Sequence, residues 1–593
     1  MRKLEFLAGL LCLFCIGGCD INSDSLEEEN NVSTESPDNE QATSDADLNN
    51  YEAHEATGDY DWNNSEVNEI VFNGNSISEN CDGASATGSI LNISAGGTYQ
   101  LNGTLTNGRV IVEATENDLV RLLLNNVEIT NESSAPITIK SAEKVIVVLN
   151  KDTKNTITDG NSYQYDNTEK EEPNAALFSK TNLTVYGEGE LYINANFNDA
   201  INCKDGLIVD CGKMNITSID EGIRGKDYLI IKKGNFTIDS GGDGFKSDND
   251  EDETRGYIKI LTGDFNISAK GDAISACTDV LIEDGDYNLI TSGTVTNTNG
   301  VSSKAIKSGI NTIINSGNFI IETTEDAIHS DQTLAINGGT FTISANDDGI
   351  HTDYDLVIND GDFTVTKSYE AIECGTGNMY IYGGNFQLVA SDDGINLAGD
   401  GDMMGGHGGP GGGWGGTTSS ANYTIYLKPE KLAINAQGDG IDANGSVEVT
   451  DGIIIIHGPT GNGNGILDYD QTFIQNGGTL IAAGSSGMFQ APGSSSTQNC
   501  VAFGFSNTQS AGSLCHIQTS DGDALCTIKP EKNYSAFLYC SPDLKQGIEY
   551  NLYTGGSVTG SSFSGYYTDE TYTAGTKQTS FSLSKTITGI QIN

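Results

Sequence analysis

Basic residues are scarce in this 593-residue chain: 30 Lys and Arg stand against 82 Asp and Glu, a formal net charge of −52. Such a surface repels phosphate backbones and anionic lipid headgroups, which excludes nucleic acid as a partner and suits divalent cations. Histidines number six, too few and in too ordinary a setting for a transition-metal centre. Past residue 19 no two cysteines stand as CxxC, so the ligand spacing of a structural zinc site is missing. Beyond the first residues no apolar run is long enough to cross a bilayer. Helical spacing of apolar residues is also missing.

What is present begins with a leader. Arg2 and Lys3 precede an apolar run from Phe6 to Ile16, closed by Ile-Gly-Gly-Cys at 16–19. That is the layout of an export signal. The placement of Cys19 resembles a bacterial lipobox, so residues 1–19 are expected to end in a lipidated cysteine on the outer face of the bacterial envelope. Residues 20–60 hold 13 acids and no Lys or Arg, a composition expected to form a disordered tether. Nine cysteines follow the leader; Cys500, Cys515, Cys526 and Cys540 cluster near the C-terminus and could pair in an oxidising compartment.

A repeat decides the fold class. A phrase of an acid, Ala or Gly, and an apolar residue opens at Asp199, Glu221, Asp243, Asp272, Asp326, Asp348, Glu370, Asp393 and Asp439, with Lys304, Asn464 and Ser486 in the same frame. The commonest step is 22 residues; longer steps contain insertions such as the acidic 248–253, the stretch 292–300 and the Gly-rich 399–416 with Trp414. Between phrases the chain alternates apolar and polar residues about a glycine, as in LAINGGTFTI (334–343), a strand pattern. Such short units bury a core only when stacked. The expectation is all-β: a right-handed parallel β-helix of about 22 residues per coil over 65–495, with a C-terminal β cap over 496–593. Phe236, Phe265, Tyr287, Phe319, Phe341, Phe363 and Phe386 share one phase and should form an aromatic ladder inside it.

Of the twelve residues opening the phrase, nine are acidic. Neighbouring strands lie about 4.8 Å apart, and calcium binds oxygen at about 2.3–2.6 Å, so carboxylates in register could share an ion. The expected ligands are Asp347, Asp348, Glu370, Asp392 and Asp393, with Asp353 and Glu373 near, and Asp326 and Asp439 for further ions. Isolated aspartates such as Asp272 read as turn formers. A second column, three places on, runs from Arg224, Lys246 and Lys307 through His329 and His351 to Glu373, Asn396 and Asp442. A uronic-acid chain along it would meet cations at one end and calcium-bridged carboxylates at the other.

NGTLTNGRVIVEA (102–114), LLLNNVEITNESSAPITIKSAEKVIVVL (122–149), NTITDG (155–160), NAALFSKTNLTVYGEGEL (174–191), EGIRGKDYLIIKKGNFTI (221–238) and SPDLKQGIEYNLYTGG (541–556) together resemble the clostridial-type carbohydrate-binding β-helix family. The resemblance covers roughly residues 65–560. It implies a calcium-binding right-handed β-helix, similar in coil architecture to family-nine pectate lyases, that recognises cellulose or polygalacturonate-like sugars. The leading expectation is a monomeric, non-catalytic, calcium-dependent polysaccharide binder that meets the membrane only through its lipid. The alternatives are a calcium-dependent lyase acting by β-elimination, with Lys246, Lys307 or Arg224 as base, and a surface adhesin.

Overall fold

The computed structural model describes residues 53–165, 171–293, 302–399, 422–568 and 571–593. The leader with Cys19, the tether as far as residue 52, and Trp414 with its glycine-rich loop lie outside the described residues.

Strands make up nearly all the regular structure; Asn64–Glu66 is the one helical turn among the described residues. Each repeat supplies three short strands, for example Ile328–Ser330, Thr333–Ile336 and Thr340–Ser344. Each strand pairs in parallel with its counterpart 22 residues on: Ile328 with Ile350, Leu334 with Leu356, Phe341 with Phe363. The first strand of each repeat builds a sixteen-stranded sheet. The other two ladders merge into a thirty-stranded one, because long strands such as Tyr228–Ser240 pair with both Tyr257–Ile260 and Asp264–Ala269.

Alternation fixes which side is core. In Thr340–Ser344, Phe341 and Ile343 are buried while Thr340 and Thr342 face water. The aromatic ladder is present as expected, with consecutive rings of Phe319, Phe341, Phe363 and Phe386 stacked at 4.7 Å and within 3° of parallel. Each ring follows a glycine that turns the chain at positive φ, such as Gly339 at 113° and Gly361 at 137°. A Cβ on Gly339 would sit 2.9 Å from the carbonyl of Gly317 in the preceding repeat, so the stack itself demands glycine.

Past the strand Thr479–Gly484 the pairing turns antiparallel: Tyr534–Cys540 adds to that strand and Cys500–Gln509 adds to Tyr534–Cys540. A separate six-stranded antiparallel sheet follows. Antiparallel strands laid over the last parallel edge remove its row of unpaired backbone groups. Cys500, Cys515, Cys526 and Cys540 are buried here as thiols, with Cys500 directly opposite Cys540.

One compositional expectation needs correction. Residues 53–60, assigned to the tether, are docked on the long sheet. The His54 ring bonds the Tyr228 hydroxyl at 2.7 Å and Thr184 Oγ1 at 2.8 Å. Asp59 pairs with the buried Lys144 at 2.9 Å, and Tyr60 stacks on Tyr186 at 4.2 Å. These partners lie far along the chain, so local composition carried no sign of them.

Candidate cation-binding face

The acids of the repeat phrase lie in one column at the entrance to the sixteen-stranded sheet, and its aspartates bridge successive repeats. One carboxylate oxygen accepts a hydrogen bond from the backbone N–H of the equivalent residue in the next repeat. Asp243 takes the amide of Asp272 at 2.7 Å, Asp272 that of Lys304 at 2.7 Å, Asp326 that of Asp348 at 3.1 Å and Asp348 that of Glu370 at 3.0 Å. Asp393 does the same for Asp439, and Asp439 for Gly465. Asp272, Asp326 and Asp348 are almost fully buried, so these bonds satisfy amides that water cannot reach. Asp272 is therefore a bridge between repeats, not the local turn former expected. In Asp243, Asp326 and Asp348 the second oxygen turns toward the outward column three places on, to Lys246, His329 and His351.

Over the upstream repeats that column, together with Lys304 of the phrase column, supplies compensating charge. Lys246 bonds Glu221 at 2.6 Å and Asp243 at 2.9 Å. Arg224 pairs with Asp248 and lies 3.9 Å from Asp199. Lys304 binds Asp326 and Glu325. Burial alone would lower the Lys246 pKa, but Asp243 and Glu221 hold it well above the ordinary value. Lys246 and Arg224 thus neutralise acids of the protein itself. Lys307 forms no ion pair among the described residues, and its charge reaches Asp331.

The two histidines come next. His329 Nδ1 lies 2.9 Å from Asp326 and its Nε2 3.0 Å from Asp331. His351 Nδ1 lies 3.3 Å from Asp348, 3.4 Å from Glu373 and 3.6 Å from Asp326, and its Nε2 is 3.5 Å from Asp353. Burial would lower the His351 pKa, yet hydrogen bonds to Asp326 and Asp348 and the charge of Glu373 hold it well above the ordinary value. His351 closes the balanced half of the column.

Beyond His351 the balance fails. Asn396, the register partner of Glu373, donates to Glu370 at 2.8 Å, and the next two places are held by Asp442 and Asp468. No Lys or Arg among the described residues pairs with Glu370, Asp393, Asp439, Asp442 or Asp468. Burial, followed by the charges of Glu373 and Asp348, pushes the Glu370 carboxyl up to about 10. Burial and then Asp393, Asp439, Asp468 and Asp470 push Asp442 up to about 8. Glu373 rises to about 8, Asp393 to about 7 and Asp439 to about 6, burial being the largest cause in each. Desolvated carboxylates that repel one another bind a hard cation strongly, because the cation supplies the charge the protein omits.

Most expected ligands therefore fall on one face, in two groups. Oxygens of Asp326, Asp347 and Asp348 lie within 4.8 Å of one another, as do ligand atoms of Asp348, His351 and Glu373. Downstream, Asp393 feels the charges of Asp439, Asp392 and Asp468, and Asp442 those of Asp393, Asp439, Asp468 and Asp470. Asp442, Asp468 and Asp470 lie outside the expected ligand set. Asp442 stood in the second column, and the steps into and out of its repeat depart from 22 residues. A visible signal was the column's own change from basic to acidic.

Fold and face together define an all-β repeat protein that aligns carboxylates along one side of a stacked sheet. Against known families, the model described as carbohydrate-binding domain-containing protein matches residues 87–349 and 333–408, more than half of the chain. The chain belongs to that family. It is 35% identical over 149 residues to a carbohydrate-binding domain-containing protein of Acetivibrio thermocellus, covering 25% of this chain and 52% of that protein. The chain thus spans about half the length of the curated relative it matches. Among solved structures it is similar to a polysaccharide lyase-like protein from C. thermocellum, a gadolinium derivative, at 34% identity, 38% coverage of this chain, 92% of that chain and a TM-score of 0.37.

Proposed function

We propose that this protein is a calcium-dependent, non-catalytic binder of cell-wall polysaccharide, cellulose or a polygalacturonate-like chain, held on the outer face of the bacterial envelope through lipid at Cys19. The repeats are read as coils of a right-handed parallel β-helix, the hand that parallel crossovers take almost without exception, with the C-terminal antiparallel strands as its cap and the protein working as a monomer. Family membership supports the carbohydrate. Calcium dependence rests on one observation: Glu370, Asp393, Asp439 and Asp442 are buried or half-buried, with no lysine or arginine among the described residues paired to them. Oxygen ligands alone, contributed by adjacent strands, are a calcium donor set. Asp442 and its neighbours would hold the ion, and the ion would draw sugar carboxylates or hydroxyls into its remaining coordination positions.

The lyase reading needs a neutral base beside the metal. Lys246 and Arg224 are instead held by their own carboxylates, which removes two of the three candidate bases and leaves Lys307 to the absorbance assay below. The deciding experiment is a pull-down of the purified chain on cellulose and on polygalacturonate, with calcium and with chelator, alongside absorbance of unsaturated products. Retention that needs calcium, with flat absorbance, is expected. Retention indifferent to chelator would remove the calcium role, and steady product formation would replace the binder with a lyase.

A further inference from the structure

Ile-His-Ser-Asp at 328–331 returns one repeat later as Ile-His-Thr-Asp at 350–353. The two run along adjacent parallel strands in register, with Ile328 opposite Ile350, His329 opposite His351 and Ser330 opposite Thr352. Alternation buries the isoleucines, Ser330 and Thr352 and brings each histidine and the aspartate two places on to the other side. Two histidines and two aspartates therefore share one patch across neighbouring strands. The repeats on either side carry Lys307 and Gly309, and Glu373 and Gly375, in the same frame. No other histidine of the chain is followed two places on by an aspartate.

One ring nitrogen of each histidine is engaged from within. His329 Nδ1 lies 2.9 Å from the buried Asp326. His351 Nδ1 lies 3.3 Å from the buried Asp348, 3.4 Å from Glu373 and 3.6 Å from Asp326. A carboxylate on one nitrogen fixes the ring and leaves the other to coordinate, the support that metal-binding histidines ordinarily have. The other nitrogens meet the aspartates of the motif: His329 Nε2 is 3.0 Å from Asp331, and His351 Nε2 is 3.5 Å from Asp353. Zinc holds nitrogen and oxygen at about 2.0–2.2 Å, which sets neighbouring tetrahedral ligands about 3.3–3.6 Å apart. Across the strands, ligand atoms of His329, Asp331 and Asp353 lie within 4.8 Å of one another. The Asp331 and Asp353 side chains are 44% and 40% exposed, open enough to admit an ion from water. Two lysines stand nearby: Lys304, engaged by Asp326 and Glu325, and Lys307, the register partner of His329, whose charge reaches Asp331. Against them stand Asp326, Asp331, Asp348, Asp353 and Glu373, so the patch is acidic when both imidazoles are neutral.

We infer that His329, Asp331, His351 and Asp353 bind one divalent transition cation of the zinc class, through both Nε2 atoms and one oxygen of each carboxylate. Imidazole suits zinc, whereas calcium takes oxygen ligands. Four protein ligands make a structural site, here a brace between two repeats. The site stands apart from the oxygen cluster around Asp442, and it assigns Asp353, expected as a calcium ligand, to a different ion. It also replaces the expectation, drawn from the number of histidines, that no transition metal binds.

The test strips the full-length protein with chelator, removes the chelator, and titrates zinc, cobalt and calcium at about pH 8, where protons compete less for imidazole. One zinc per chain is expected to bind more tightly than any further zinc, and an equal concentration of calcium should not displace it. Cobalt should give the visible absorption of a tetrahedral nitrogen–oxygen centre, without the thiolate band of a cysteine site. Asp331→Asn and Asp353→Asn, both on exposed side chains, should each weaken that zinc by about tenfold or more, as losing even an outer-shell partner does. Their melting temperatures in chelator should stay near wild type, and zinc should raise that of the wild type alone. Zinc spread loosely over many carboxylates, wild-type affinity in both variants, or an octahedral or thiolate cobalt spectrum would overturn the site. Calcium-dependent retention on polysaccharide, measured on the same wild-type protein, reports separately on the proposed function.

Discussion

Asp348 Oδ1 accepts the amide of Glu370 at 3.0 Å, while Asp348 Oδ2 faces His351 Nδ1 at 3.3 Å. One carboxylate thus joins two repeats with one oxygen and serves the functional face with the other. The same division holds at Asp243 and Asp326, and it lets fold and site be tested separately.

Where only the bridging oxygen matters, stability should depend on the acceptor and not on its charge. Asp272 accepts the Lys304 amide at 2.7 Å from a buried position. Asp272→Ala leaves that amide unpaired and should cost about 1–3 kcal/mol in denaturant unfolding. Asp272→Asn keeps an acceptor oxygen and should cost much less. Equal losses in the two variants would show that the hydrogen bond is not what the aspartate provides.

The acidic half of the face sets a pH dependence whose sign follows from the raised carboxyl values. Unfolded Asp and Glu titrate near ~4, whereas Asp393, Glu373 and Asp442 rise to about 7, 8 and 8 in the fold. Below ~4 both states are protonated and the groups contribute nothing. Between ~4 and about 8 the unfolded chain has released these protons while the fold retains them, so stability falls as pH rises. Metal-free protein should therefore melt at a lower temperature at pH 8 than at pH 5, and saturating calcium should reverse most of that loss. A flat melting profile in chelator would contradict the charge imbalance.

Lys246 and Lys307, both candidates for sugar contact, should separate. Lys246 is held by Glu221 and Asp243 and is only partly exposed. Lys246→Ala should destabilise by about 1–3 kcal/mol, below the ~3–5 kcal/mol of a fully buried pair, and leave sugar affinity close to wild type. Lys307→Ala should scarcely move stability and should weaken polygalacturonate retention. Unfolding curves and pull-downs on both variants decide the matter; a drop in affinity confined to Lys246→Ala would reverse the assignment.

The sequence carried the stack more fully than the chemistry, for a physical reason. Phe341 and Phe363 announce themselves because burial on one side of a strand imposes a two-residue alternation, and the glycine before each ring is forced by the preceding repeat. The bond from Asp326 to the amide of Asp348 needs the register of two repeats, which the 22-residue step implies but no local motif displays. The pairing of Lys246 with Glu221 crosses 25 residues and turns an apparent ligand contact into an internal one. His54 and Tyr60, read as tether, are fixed by Tyr228 and Tyr186, partners that composition cannot reveal. Asp442 and Asp468 escaped because insertions disturb the period around them, although they are register partners.

Asp442 gives the sharpest test of the metal, because removing its charge should move two quantities in opposite directions. Its carboxyl feels the charges of Asp393, Asp439, Asp468 and Asp470, with Asn396 as its register neighbour upstream. Asp442→Asn relieves repulsion in the metal-free protein, so its melting temperature in chelator should rise above wild type. The same change removes a charged oxygen from the cation, so calcium affinity by calorimetry should fall tenfold or more, about 1.4 kcal/mol or greater. A merely structural carboxylate would lose stability on substitution and leave calcium binding alone. If the variant melts lower in chelator and binds calcium as the wild type does, the acids at this end of the face are held by the fold for its own sake.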